Sequence, residues 1–90
     1  MPQAIMDPEE VRRFAEELNR FNSEVQDKMS SLIARYQALG DTWRDQEAEK
    51  FAEEFRQTMR VMKKFIDHSD KFAPFLVRKA QRIQDYLDQR

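Results

Sequence analysis

The single histidine of this 90-residue chain, His68, stands between Asp67 and Asp70, the one place where an imidazole meets carboxylates. Such a trio is a fragment of a metal or acid-base site. A metal held inside a helix bundle, however, draws its carboxylate and imidazole ligands from facing helices, commonly as Glu-x-x-His, and no such motif occurs. His68 therefore reads as a solvated side chain. Nucleophilic catalysis also lacks parts: there is no cysteine, no second histidine, and only one glycine, too few for a phosphate-cradling loop. The remaining carboxylates sit three or four residues from bases, as in Glu9 with Arg13, Glu16 with Arg20, Glu24 with Lys28 and Asp67 with Lys71, which is the spacing of a solvated helix face. The expectation is no enzyme, no cofactor and no metal.

Two further groups of residues invite chemistry of association. Arg56, Arg60, Lys63, Lys64, Lys71, Arg78, Lys79 and Arg82 form a basic run interrupted only by Asp67 and Asp70. A formal net charge of -1 and the absence of interleaved aromatic and basic residues argue against nucleic acid. Trp43 is the other: an aromatic of this size inside the short polar stretch Gly40-Asp41-Thr42-Trp43-Arg44-Asp45 either staples two helix ends or is an exposed recognition anchor. Phe51, Phe55, Met59 and Met62 recur at helical spacing and read as core rather than as a ligand pocket.

The elements that carry these residues follow from composition. One glycine and three prolines against 37% charged residues leave almost no turn material, and seven Phe, one Trp and two Tyr are too much apolar area for a disordered chain. The class is all-α. Asp7-Pro8-Glu9-Glu10 is a helix start: an acceptor at the cap, proline in the first turn, and two acids at the positive end of the dipole. From there Val11, Phe14, Leu18, Phe21, Val25, Met29, Leu32, Tyr36 and Leu39 recur every 3.5 residues on average, the period of a coiled-coil seam. Gly40 follows at once, where a left-handed C-cap would place it.

A second periodic segment, Ala48, Phe51, Phe55, Met59, Met62 and Ile66, begins directly after the turn, with Asp45 as its cap and Thr42 as a competing one. The chain thus reads as one domain over residues 1–90, an antiparallel helix-turn-helix hairpin: first helix about 7–39, turn 40–45, second helix about 46–89 with a kink or break near 70–74. Pro74 is the cause of that break, since it cannot donate to residue 70. Folding about the turn places Pro74 opposite residue 10, so that the segment with Leu76, Ala80, Ile83 and Leu87 extends past the hairpin or bends against the region of Ile5. The halves carry formal charges of -3 (residues 1–45) and +2 (46–90), so antiparallel pairing is expected to set the basic run beside Asp7, Glu9, Glu10, Glu16, Glu17, Glu24 and Asp27. The second helix also shows Ala52, Val61, Phe65, Phe72, Phe75 and Val77 off its seam. That arc is too wide for a lone hairpin, and the expected assembly is a dimer forming a four-helix bundle, with Phe14, Leu18, Phe21, Val25, Phe51, Phe55, Met59 and Met62 as core and dimer residues.

Length, two helices and the Trp43-Arg44-Asp45 tripeptide in the turn resemble the WXG family, the early-secreted-antigen-like small proteins of type VII (ESX) secretion. Trp43 and Asp45 match its Trp-x-Gly turn motif, with Asp45 where the glycine usually stands. The resemblance implies pairing with itself or a similar small helical protein, synthesis in the cytoplasm, and secretion of the folded protein without a signal peptide. It also implies a Tyr-x-x-x-Asp/Glu element read by a secretion ATPase. Tyr86 occupies the tyrosine position, and Arg90 stands where the acid belongs. Residues Met1 to Met6 show neither a basic nor an apolar signal segment, and no run of about 18 apolar residues predicts membrane insertion. The competing reading is a cytoplasmic helical adaptor that binds a protein partner or acidic surface through its second helix.

Overall fold

The computed structural model describes residues 6–89 as three helices, α1 (Pro8–Leu39), α2 (Gln46–Ser69) and α3 (Phe72–Asp88). Each start has a local cause. The Asp7 carboxylate accepts from the Glu9 amide at 3.0 Å, and the Asp45 carboxylate accepts from the Ala48 amide at 2.9 Å, so both helices begin with a charged cap on donors that have no partner within the helix. Between α2 and α3 the chain never leaves right-handed helical space: Asp70 has φ -61° and ψ -20°, Lys71 has φ -82° and ψ -16°. Pro74 lies in the first turn of α3, where its missing donor costs least, and the Phe75 amide reaches the Lys71 carbonyl at 3.4 Å. The result is one helical arm with a kink.

Gly40 corrects an expectation. It is a right-handed residue at φ -61° and ψ -20°, and no described residue has positive φ. The last carbonyls of α1 are instead taken up by the turn itself: the Gly40 amide donates to Tyr36, the Asp41 amide to Ala38, and the Thr42 and Trp43 amides both to Leu39, at 3.0 to 3.2 Å. The Thr42 hydroxyl also donates to the Leu39 carbonyl at 3.2 Å, which is its role in place of capping α2. A left-handed cap is unnecessary because those donors already satisfy the helix end.

The pairing register differs from simple folding about the turn. Asn22 meets Ser69 and Asp70, Arg12 meets Gln81, and Tyr36 meets Phe55. Facing residues therefore sum to about 92, which sets Pro74 beside residue 18 rather than residue 10. The turn climbs along the first turns of α2 instead of reversing tightly, and α3 lies flat along the N-terminal half of α1 rather than extending beyond it. Ile5 lies outside the described residues. The pair is 69 Å long and only 18 by 15 Å across.

Packing explains which apolar residues face inward. The inner seam of α1 runs through Val11, Ala15, Leu18, Asn22, Val25, Met29, Ile33 and Tyr36; that of α2 and α3 runs through Ala48, Ala52, Phe55, Met59, Met62, Ile66, Ser69, Ala73, Leu76, Ala80, Ile83 and Leu87. Its alternating steps of four and three cross the kink without losing phase. Ala15, Ala73 and Ala80 are nearly sealed, and α1 lies much closer to α3 than to α2, because small side chains at a crossing let backbones approach. Phe14, Phe21, Leu32 and Leu39, read from sequence as seam residues, are instead 57, 52, 49 and 46% exposed. Phe51 is likewise 44% exposed, and Ala52 takes its place inside.

Candidate functional site

The exposed aromatics are arranged, not scattered. On α1, Phe14, Phe21, Leu32 and Leu39 are separated by 7, 11 and 7 residues, each close to whole turns, so they form one stripe. On the kinked arm Phe51, Phe65, Phe72 and Tyr86 are separated by 14, 7 and 14 residues and form another, with Val61 and Phe75 beside it. At ~100° per residue both stripes lie on the same angular side of their seams. In an antiparallel pair the same angular side of both helices points to the same face. One broad face of the hairpin therefore gathers most of the exposed apolar side chains, interrupted by Lys28, Thr58 and Lys79 at the same heptad positions, with Leu18, Val25 and Met62 half-buried beneath it. The other face carries shallow grooves between α1 and α2 over Met29, Ile33 and Met59, rimmed by Gln26, Lys63, Arg56 and Asp67.

At the turn the structure brings Trp43 onto Phe51, ring centroids 5.8 Å apart, and Phe51 in turn onto Phe55 and Tyr36 at 5.8 and 5.7 Å. Tyr36 and Phe55 are closest at 4.5 Å. Trp43 is half-buried, so the side chain both ties the turn to α2 and leaves part of its ring in solvent. Asp45, two residues on, has φ -89° and ψ -175°, extended backbone that any residue adopts, and its carboxylate caps α2. A glycine there would supply neither the cap nor a needed conformation. At the opposite end Tyr86 is 63% exposed in the last turns of α3; Arg90 lies outside the described residues.

The charged residues do not pair across the hairpin as expected. Among the described residues the ion pairs are Arg13 with Glu9, Arg56 with Glu53, and Lys63 with Asp67, all within one helix and all exposed. Among the described residues no ion pair joins the acids of α1 to the bases of the kinked arm, and Arg60, Lys64, Lys71 and Arg78 stay exposed to solvent. His68 is exposed and meets Phe72 edge-on at 5.2 Å. No group of three or more His, Cys, Asp or Glu among the described residues could hold a metal ion. No described helix is long and apolar enough to cross a membrane.

A buried polar contact was not foreseen. Asn22 and Ser69 are 1 and 2% exposed in the middle of the seam; the Ser69 hydroxyl donates to the Asn22 carbonyl oxygen at 3.0 Å, and the Asn22 amide donates to Asp70 at 3.1 Å. The available signal was positional, since Asn22 falls on the heptad of Ala15 and Met29.

These features define a small helical hairpin built on coiled-coil periodicity, with an aromatic turn and exposed apolar side chains gathered on one face. The chain belongs to the WXG100 family, proteins of 100 residues with WXG, whose sequence model matches residues 3–88. The fold is similar to crystal structures of a secreted protein, EsxB, from Bacillus anthracis str. Sterne. The wild-type form is 25% identical, with a TM-score of 0.81 over 94% of this chain and 91% of that one. The selenomethionine-labelled form is 24% identical, with a TM-score of 0.78 over 96 and 98%. Sequence comparison with curated proteins gives no match. The resemblance read from the Trp43 turn and the all-α hairpin is thereby borne out.

Proposed function

We propose that this protein is a substrate, or the partner or chaperone subunit of a substrate, of a type VII (ESX-like) secretion system, acting through protein-protein association rather than catalysis. The observation that carries the reading is the set of exposed apolar side chains Phe14, Phe21, Leu32, Leu39, Phe65 and Phe72 gathered on one face of a chain of this family. Stacking that face on a second copy, or on a similar small helical protein, completes a four-helix bundle and removes from water area that one hairpin leaves exposed. Export then occurs from the cytoplasm as a folded dimer without a cleaved signal peptide, the course suggested by the secreted relative. Tyr86 and the half-exposed ring of Trp43 are the proposed contacts for a secretion ATPase, Tyr86 being 63% exposed. With Arg90 in the acidic position, the partner chain supplies the missing charge.

The test is export from a host with an intact type VII system and from one lacking its ATPase. The protein should appear in the medium of the first and stay in the cells of the second, and Tyr86→Ala should reduce export, its solution mass measured alongside to separate a lost ATPase contact from lost pairing. Retention in the cytosol of the intact strain, alone and with co-expressed family members, would overturn the reading. The second reading, a cytoplasmic adaptor, is favoured by one feature: Arg60, Lys64, Lys71, Arg78 and Arg82 make no ion pair among the described residues and form a basic edge along α2 and α3. Retention together with salt-sensitive capture of an acidic protein surface would select it.

A further inference from the structure

The seam permits two registers, and the structure occupies one of them. Because inner positions recur in steps of four and three from Ala48 to Leu87, sliding α1 by seven residues against the kinked arm brings apolar positions opposite apolar positions again. A tight reversal at 40–45 would produce that slipped pairing, in which facing residues sum to about 85 instead of about 92. Within the stretch that still overlaps, apolar matching separates the two poorly, although Ala80, Ile83 and Leu87 then run past the start of α1. Inside that overlap the residues that do not match after the slip are polar: Asn22 comes level with Met62, and Ser69 with Ala15.

We propose that Asn22, Ser69 and Asp70 form a register lock that selects this pairing and pins the kink between α2 and α3 to α1. In the observed register the Asn22 side chain has both ends engaged, its oxygen by the Ser69 hydroxyl and its nitrogen by the Asp70 carboxylate, at a site 1% exposed. Ser69 ends α2 and Asp70 is the first residue beyond it, so the hydrogen bonds hold the bend itself. In the slipped register the amide is buried against a thioether that satisfies neither end. The lock also explains how a chain with Pro74 so close to the bend keeps α3 flat on α1. It is internal to one chain and stands whether or not the secretion reading does.

The chain contains no cysteine, so two introduced at exposed sites, Ser31→Cys and Arg78→Cys, carry spin labels without competition. Labelled protein diluted in excess unlabelled protein reports one intramolecular distance by pulsed electron resonance. A seven-residue slip lengthens it by about 10 Å, at ~1.5 Å per residue. The parent should show a single distance. Asn22→Leu, which removes the amide, should raise the slipped fraction by a factor of roughly 5 to 150, the Boltzmann weight of one unsatisfied buried amide. A second variant, Ser69→Ala with Asp70→Ala, leaves the amide unpaired in both registers and should likewise populate the longer distance. Ile66→Val, a core change that leaves the lock intact, should lower stability and keep one distance. A single parental distance in either lock variant, with helical circular dichroism retained, would overturn the proposal, as would a second distance in Ile66→Val.

Discussion

Truncating Phe21 to alanine tests the apolar face at the point where the proposed association stands or falls. Phe21 is 52% exposed on α1 and touches the hairpin with only half of its side chain. Of the 150 to 250 Å² an aromatic side chain can bury, about 100 Å² is therefore left for a partner. At ~25 cal/mol per Å² this is about 2.5 kcal/mol per copy, and about 5 kcal/mol for a homodimer that loses both rings. Full burial is the upper bound, so the expected weakening of the dimer is about a thousandfold, or about 4 kcal/mol. Sedimentation equilibrium of parent and variant over a common concentration series measures it. Circular dichroism on the same samples separates loss of pairing from loss of the hairpin. Ser30→Ala, on the grooved face, is the control and should leave the dissociation constant unchanged. A Phe21→Ala protein that dimerises as tightly as the parent would refute the assignment of this face, and so would equal weakening by Ser30→Ala.

The cap at the turn motif makes an opposed pair of predictions. Asp45→Ala should cost about 1 kcal/mol, a fall in melting temperature of roughly 4 to 8 °C, whereas Asp45→Gly should cost only a few tenths because glycine is tolerated at an N-cap. A glycine variant less stable than the alanine variant in thermal melts at matched concentration would show that the carboxylate is not acting as a cap. In the seam, Ile66 is 1% exposed, and Ile66→Ala should cost about 2 to 5 kcal/mol. In so thin a molecule that should remove most helical signal at 37 °C; a melting shift under ~5 °C would place the cohesion of α1 and α2 elsewhere.

Short-range chemistry was legible because it needs no knowledge of the partner element. Asp7 and Asp45 each lie two or three residues before the amide they accept from, so residue order alone identifies them as caps. Pro74 marks a bend for the same reason, since the donor it lacks is its own. The heptad period was legible too, but its phase was not. Phe14 and Ala15 are neighbours only ~100° apart, and both fit a 3.5-residue repeat. Sequence hydrophobicity favours the phenylalanine, whereas close approach to Ala73 and Ala80 favours the alanine. Trp43 stands out in the sequence as an aromatic in a polar turn, but its stacking on Phe51 depends on how far the turn climbs along α2.

The amino-acid order by itself determined that the chain is helical, where its helices start and bend, that it reverses once around Trp43, and that it carries more apolar surface than two helices can hide. Those outcomes rest on propensity, capping and periodicity, which act over a few residues. Tertiary structure alone decided which flank of each helix turned inward, that Gly40 stays right-handed, that the described ion pairs form within helices rather than across the hairpin, and which of two heptad registers is occupied. These are contests between arrangements that share one heptad period, and they are settled by contacts between residues some 47 positions apart, such as Asn22 with Ser69.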